Sequence, residues 1–281
     1  HPSGTLPIPV TILRMRSLTR IALALLVATH AGAQEAATFP TWTPRAGDSY
    51  EVEIEGSVRF NHTQSGGEVE PLDQSDGETR ERRLRVRHVE GGAVEIEYLA
   101  DARSSLATTL VGRTLRARPG DPISIEVVGG APLAAAESSL AREDARGFLA
   151  GDPRALLFAG RPADRGAVWT IDDARAADLF CDFEEPREVR IKVAHVDDRE
   201  GVAVLEVQVR VRSTRTEGPL VAESTATGSG ELEVDAATGR IRSWTWDGAQ
   251  TEQDRVADDA GREMVLRYDR TEEVRVAYSS D

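Results

Sequence analysis

The strongest constraint on this fold is a two-residue alternation that begins at Tyr50. Tyr50, Val52, Ile54, Val58 and Phe60 share one phase with Gly56, while Glu51, Glu53, Glu55 and Arg59 occupy the other. Successive side chains of a strand point to opposite faces, so this period predicts a half-buried β-strand. A second segment puts Leu84 and Val86 inward and Arg83, Arg85 and Arg87 outward. After a turn at Glu90-Gly91-Gly92, a third puts Val94, Ile96 and Tyr98 inward and Glu95 and Glu97 outward. An arginine row therefore lies between two glutamate rows. Opposite charges directly across a strand pair attract and like charges repel. The predicted order is strand one beside two beside three, an antiparallel meander with one solvated face.

Short strands are predicted at residues 106–110, 113–117 and 123–128. The grammar then changes. Residues 132–150 are alanine-rich, and Leu133, Leu140, Ala141, Phe148 and Leu149 fall near one helical face. Asp152-Pro153 is a cap and first-turn signal for a second short helix over 153–158, ended by Gly160 and Pro162.

The β pattern returns with Val189, Ile191 and Val193, a turn over 197–201, and Val202 and Val204. There the phase slips to Leu205, Val207, Val209 and Val211, the mark of a β-bulge. Residues 224–234 form a Gly-rich strand, turn at 235–239, and pair back with 241–246. Met264, Leu266 and Tyr268 keep phase with Val274, Val276 and Tyr278, which implies one long bent strand or two shorter ones. The halves 45–130 and 165–279, joined by the helical segment 132–159, echo each other. His88-Val89-Glu90 and His195-Val196-Asp197 each precede a glycine turn, and Tyr50 and Trp169 each start a strand. Duplication and convergent hairpin grammar explain this equally well.

The compartment is read from Met15-Arg16-Ser17-Leu18-Thr19-Arg20, an apolar run over 21–28, and Ala31-Gly32-Ala33. That is the basic, apolar and small-residue order of a secretory signal. Cleavage is expected after Ala33, leaving residues 34–281 as a single β-rich domain, periplasmic or secreted. Residues 1–14 are read as an upstream extension that is not native. The apolar run falls short of the roughly 20 residues a spanning helix needs, so stable membrane insertion after cleavage is not expected.

The formal charge of −14 argues against nucleic acid and anionic lipid surfaces as partners. Cys181, the one cysteine, sits near Phe180 and Phe183 and is expected to be buried as a small apolar side chain. Gly228-Ser229-Gly230 lacks the preceding glycine of a nucleophile elbow, and no H-E-x-x-H pair occurs. His88 and His195 end strands beside turns, where a solvated or capping role is expected. Asp172, Asp173, Asp178, Asp182, Glu184 and Glu185 crowd together, but their spacing matches no calcium loop. No catalytic residue, metal or cofactor is therefore expected.

Trp244 and Trp246 share one face of a strand, opposite Ile241 and Ser243. On an inner face they would be core or cavity wall. The candidate ligand-binding residues are Phe148, Leu149, Trp169, Trp244 and Trp246.

The signal segment, the long antiparallel strands, the interposed helices and the Gly-rich hairpin over 228–246 together resemble the LolA-like periplasmic open half-barrel. The pattern is also similar to uncharacterised families of exported bacterial β proteins. The LolA resemblance implies a many-stranded sheet wrapping helices that plug its concave side, and carriage of lipoproteins or other lipids. The fold class expected is mainly β (α+β), a curved antiparallel sheet or open half-barrel around a central helical segment. The function expected is non-enzymatic binding of a hydrophobic small molecule or lipid in the concave sheet. The alternative is an envelope scaffold or interaction protein, with an envelope protein partner and a filled core. An unrecognised hydrolase stands third.

Overall fold

The computed structural model describes residues 37–66, 71–103, 110–149, 151–181, 183, 186–217, 220–257 and 262–280. The signal-type segment, residues 1–14, most of the strand predicted at 106–110, and Asp182, Glu184 and Glu185 lie outside the described residues.

Eleven strands form one antiparallel sheet that does not close into a barrel. They are β1 (Ser49–Gly66), β2 (Leu72–His88), β3 (Val94–Arg103), β4 (Thr114–Arg118), β5 (Ser124–Val127), β6 (Val168–Ile171), β7 (Glu188–Arg199), β8 (Val202–Glu217), β9 (Leu220–Asp235), β10 (Ile241–Ala257) and β11 (Glu263–Ser280). The spatial order is β5-β4-β3-β2-β1-β11-β10-β9-β8-β7-β6. The first five strands run outward from β1, and the last six return from the far edge so that β11 pairs with β1 along its length. Helix α1 (Ala135–Leu149) and a 3₁₀ helix at Pro153–Leu157 lie between the two sets of strands in sequence, and the one-turn helix α2 (Ala174–Ala177) lies between β6 and β7.

The charge rows sit where the alternation puts them. Arg85 stands opposite Glu51 on one side and Glu97 on the other. Its guanidinium donates to both, at 2.7 Å and 2.8 Å. Glu95 takes Arg87 and Arg116 in the same way, and these hydrogen bonds hold its carboxyl below the usual carboxylate range. One face of the β1–β4 sheet is thus a lattice of ion pairs.

The other face carries two apolar clusters. One gathers Leu84, Val94, Ile96, Tyr98 and Leu115 under Ala141 and Ala145 of α1. The small alanines let the helix lie close to the sheet. The larger cluster joins β1 and β6–β11 to Phe39, Phe158, Cys181 and Phe183. Phe148 packs against both clusters.

Several local expectations are refined or corrected. The short helix expected over 153–158 is present as a 3₁₀ helix, Pro153–Leu157, capped by Asp152, which accepts from Arg154 N at 3.0 Å. Phe60 is in the inward phase yet 44% exposed, because β1 runs on past the apolar clusters. Ile241 joins Trp244 and Trp246 in the core instead of facing away, because a register shift at Arg242 resets the phase. At the slip between Val204 and Leu205 the bulge is present, but the extra residue is Val196 on the partner strand.

His88 and His195 are both buried rather than solvated, while the capping alternative holds for His195, whose Nε2 is 3.0 Å from the Asp197 carbonyl oxygen of its turn. His195 packs on the Phe39 ring at 5.6 Å, with Nε2 3.0 Å from Asp198 Oδ1. His88 forms a triangle of rings with Trp42 and Tyr50, at centroid distances of 6.1 Å and 5.9 Å, those two being 5.8 Å apart. The turns they precede fold back over the strand ends, and the segment Phe39–Trp42 covers both rings.

Burial pulls the His88 pKa down, with Asp48 opposing. A depressed folded value means the unfolded chain binds more protons just below about pH 6.5, so stability is complete above that pH and declines as pH falls through the folded value. Urea unfolding at about pH 7.5 and about pH 5.5 is expected to show lower stability at the acid end. The drop should shrink in a His88→Gln variant. An equal drop in both proteins would assign the effect to other groups.

Candidate ligand cavity between helix and sheet

A cavity of about 320 Å³ opens where the two apolar clusters meet. Val52 and Ile54 of β1, Leu84 of β2, Ile241 of β10 and Val276 of β11 form its floor, all on the inward phase of neighbouring strands. Phe148 and Gly147, from the last turn of α1, form the roof with Pro153 and Ala155. The 3₁₀ turn is held in place because Asp152 caps it and Pro153 presets its first turn.

Three arginines enter this apolar setting, each held differently. Arg82 shares the inward phase of Leu84 and Val86. Its side chain is 9% exposed, with Nη2 2.5 Å from Asp144 Oδ2 and Nε 3.3 Å from Asp101 Oδ1. Tyr98 donates to the same Asp144 oxygen at 2.8 Å. Burial alone would pull the guanidinium down, but Asp144 and then Asp101 outweigh it and hold it above its usual value.

Arg154 and Asp152 close the opposite wall with Tyr278. The Tyr278 hydroxyl donates to Asp152 Oδ2 at 2.6 Å, and Arg154 Nη1 donates to that hydroxyl at 3.1 Å. Burial, reinforced by Asp152 against the opposing Arg154, pushes the Tyr278 phenol far above its ordinary range. The phenol therefore stays protonated and acts as a fixed donor.

Arg240 is held by rings instead of carboxylates. Its guanidinium carbon lies 5.4 Å from the Trp42 centroid and 5.1 Å from that of Tyr50. Arg240 Nη2 is shielded from solvent and has no hydrogen-bond partner. The turn that presents it is tight: Gly239 has φ +71°, and a Cβ there would meet the Pro40 carbonyl oxygen at 2.0 Å.

Of the candidate residues read from the sequence, Phe148 lines this cavity. Leu149 packs instead with the cluster under α1. Trp169 is in the main core and donates from Nε1 to the Leu157 carbonyl at 2.8 Å. Trp244 and Trp246 stack on each other, 5.9 Å apart and 9° from parallel, with Phe180 against both. The gap beside Phe180 and Trp246 is about 10 Å³, at the lower limit for a single water and far too small for a ligand. Arg154 lies 6.0 Å above the Trp244 ring, so that indole supports the cavity wall from behind.

Sequence reasoning missed Arg82, Asp144, Arg154 and Arg240. Arg82 alone carried a signal, an ionic residue in a phase otherwise occupied by Leu84, Val86 and His88.

A larger hollow of about 840 Å³ lies on the charged face, lined by Glu55, Glu206, Glu231, Asp247, Glu273 and Arg275 among others, and it is open to water. Among the described residues, no group of three or more His, Cys, Asp or Glu is placed to hold a metal ion. No helix among them is long and apolar enough to cross a membrane.

No protein-family model matches this chain, and no curated protein matches it. Among solved structures, it is similar to one described as lipid–protein interactions in lipovitellin, at 9% identity and a TM-score of 0.35, over 84% of this chain and 26% of that one. This chain thus spans about a quarter of the lipovitellin chain. A LolA superfamily protein from Nitrosomonas europaea aligns at 10% identity and a TM-score of 0.15, over 83% of this chain and 86% of its own. The InvG secretin domain β-barrel from the Salmonella SPI-1 injectisome aligns at 8% identity and a TM-score of 0.15, over 95% of this chain and 68% of its own. At these scores the likenesses carry no argument about family or ligand.

Proposed function

We propose that residues 34–281 form an exported, non-enzymatic binding domain that takes a hydrophobic or lipid ligand between α1 and the β1–β2–β11 sheet. The observation that carries this reading is the cavity of about 320 Å³ with an apolar floor. It lies at the lower end of the roughly 300–1,000 Å³ typical of small-molecule sites, which are mostly apolar with a few placed polar groups. The sequence resemblance to LolA-like half-barrels is compatible with it.

The second reading, an envelope scaffold or interaction protein with a filled core, draws on the other half of the apolar face. There Trp244, Trp246 and Phe180 occupy the space themselves. The two readings separate in one experiment. Native mass spectra of the purified chain are expected to show a co-purified adduct, and the neutral dye Nile red should bind saturably. Ile54→Trp, which builds an indole into the cavity floor, should weaken dye binding by about tenfold or more. No adduct and no saturable binding would leave the scaffold reading in place.

A further inference from the structure

We infer that the ligand is a single-chain amphiphile with a singly charged anionic head, a carboxylate or phosphodiester, met by Arg240 while its chain lies on Val52, Ile54, Leu84 and Val276 beneath Phe148. The inference rests on the binding reading above and adds the chemistry of the ligand to it.

The first support is which charges around the cavity already have partners. Asp144 is matched by Arg82, and Asp152 by Arg154 and Tyr278. Arg240 lines the same space and, among the described residues, has no carboxylate partner. Arg82 is shared between Asp144 and Asp101, so the acids are not outnumbered; what Arg240 offers an occupant is a guanidinium that no carboxylate has claimed. Glu143 stands at the exposed rim of the cavity, and with Asp144 and Asp152 inside it penalises a head carrying more than one negative charge.

The second support is geometry. Trp42 and Tyr50 lie against the guanidinium, and rings, unlike carboxylates, need not take up its in-plane N–H edge. Arginine recognises carboxylates and phosphates through that edge. The Nη2 group has no acceptor and is closed off by its neighbours, so the cavity meets Arg240 through other atoms of the residue. Arg240 lines the cavity, and an anionic oxygen placed there would give its guanidinium the charge partner that the protein does not.

The third support is size. The apolar floor adjoins Arg240 through Ile241, the next residue along β10. A cavity of about 320 Å³ has room for one alkyl chain and not for the two of a diacyl phospholipid. A free fatty acid and a lysophospholipid both present the required chemistry.

The test compares three probes on the full chain: cis-parinaric acid by its fluorescence, its methyl ester, and lysophosphatidylglycerol as competitor. The acid is expected to bind about tenfold or more tighter than the ester, the value of one hydrogen bond to a charged group. Arg240→Gln should bring the acid down to the level of the ester measured on the same variant. Arg240→Lys should restore part of the preference. Displacement of the acid by lysophosphatidylglycerol would point to a phospholipid source, and lack of displacement to a fatty acid. Both results require the acid-over-ester preference to be present.

Equal binding of acid and ester to the unaltered protein, with both lost in Ile54→Trp, would overturn the anionic head and leave the cavity reading standing. A preference that persists in a folded Arg240→Gln protein would overturn the role of Arg240. Failure of every single-chain probe to bind would overturn both readings. The acid–ester comparison needs no variant, so a misfolded substitution cannot hide the answer.

Discussion

Replacing Arg82 with leucine is expected to destabilise the protein by about 3–5 kcal/mol, the cost of removing one partner from a buried ion pair. Leucine approximates the apolar part of the side chain and suits the phase of Leu84 and Val86. The loss therefore reports the charge. Asp101 and Asp144, with side chains 1% and 9% exposed, would keep their carboxylates in a space that water reaches poorly. An uncompensated buried carboxylate is far more costly than a missing contact. Urea denaturation of the variant and the parent measures the difference. The double variant Arg82→Leu, Asp144→Leu should recover part of it, since replacing both members of a buried pair is much less damaging than breaking it. A loss below about 1 kcal/mol in the single variant would show that the cluster behaves like an exposed pair.

Gly228→Val should cost about 2–4 kcal/mol, for a reason that lies in the tryptophan stack rather than in backbone freedom. A Cβ at residue 228 would meet the Trp246 ring at 2.5 Å and the Asp247 carbonyl oxygen at 2.6 Å. The ring could move only by abandoning Trp244 and Phe180, and the carbonyl belongs to the sheet. The expected readout is a lower urea midpoint together with loss of the near-ultraviolet circular dichroism couplet of two stacked indoles. Gly77→Ala is the control: its nearest neighbour, the Val58 carbonyl oxygen, stands 3.5 Å from the added carbon, so it should fall within about 0.5 kcal/mol of the parent. Matching losses at the two positions would mean that glycine is needed throughout these strands and that the stack is incidental.

The glycines of β9 also show what could be read in advance. Their small inner face was visible in residues 224–234, and so was the shared phase of Trp244 and Trp246. The reason for the combination was not visible. Two indoles lie flat against the sheet because the neighbouring strand offers Gly228 and Gly230 in place of side chains. The rings that looked like a ligand wall are thus packed among themselves, while Phe148 alone of the five candidates faces the cavity. Arg240 was hidden for a different reason. It follows the turn at 235–239, and nothing in one dimension shows that Trp42 and Tyr50, nearly two hundred residues earlier, lie against its guanidinium.

The β1–β2–β3 order and the solvated ionic face were legible because both depend on local chemistry. Side-chain direction alternates with the pleat, and charge rows on strands joined by short turns can test one another directly. The pairing of β1 with β11 carried no such mark. Tyr50 and Ser280 meet in the middle of the sheet only because the chain leaves along one flank, crosses through α1 and returns from the opposite edge. The cavity is a product of that return: its floor takes Val52 and Ile54 from the first strand and Val276 from the last. Alternation says which side of a strand is apolar, but the space left between that side and a helix depends on packing among residues far apart in the chain.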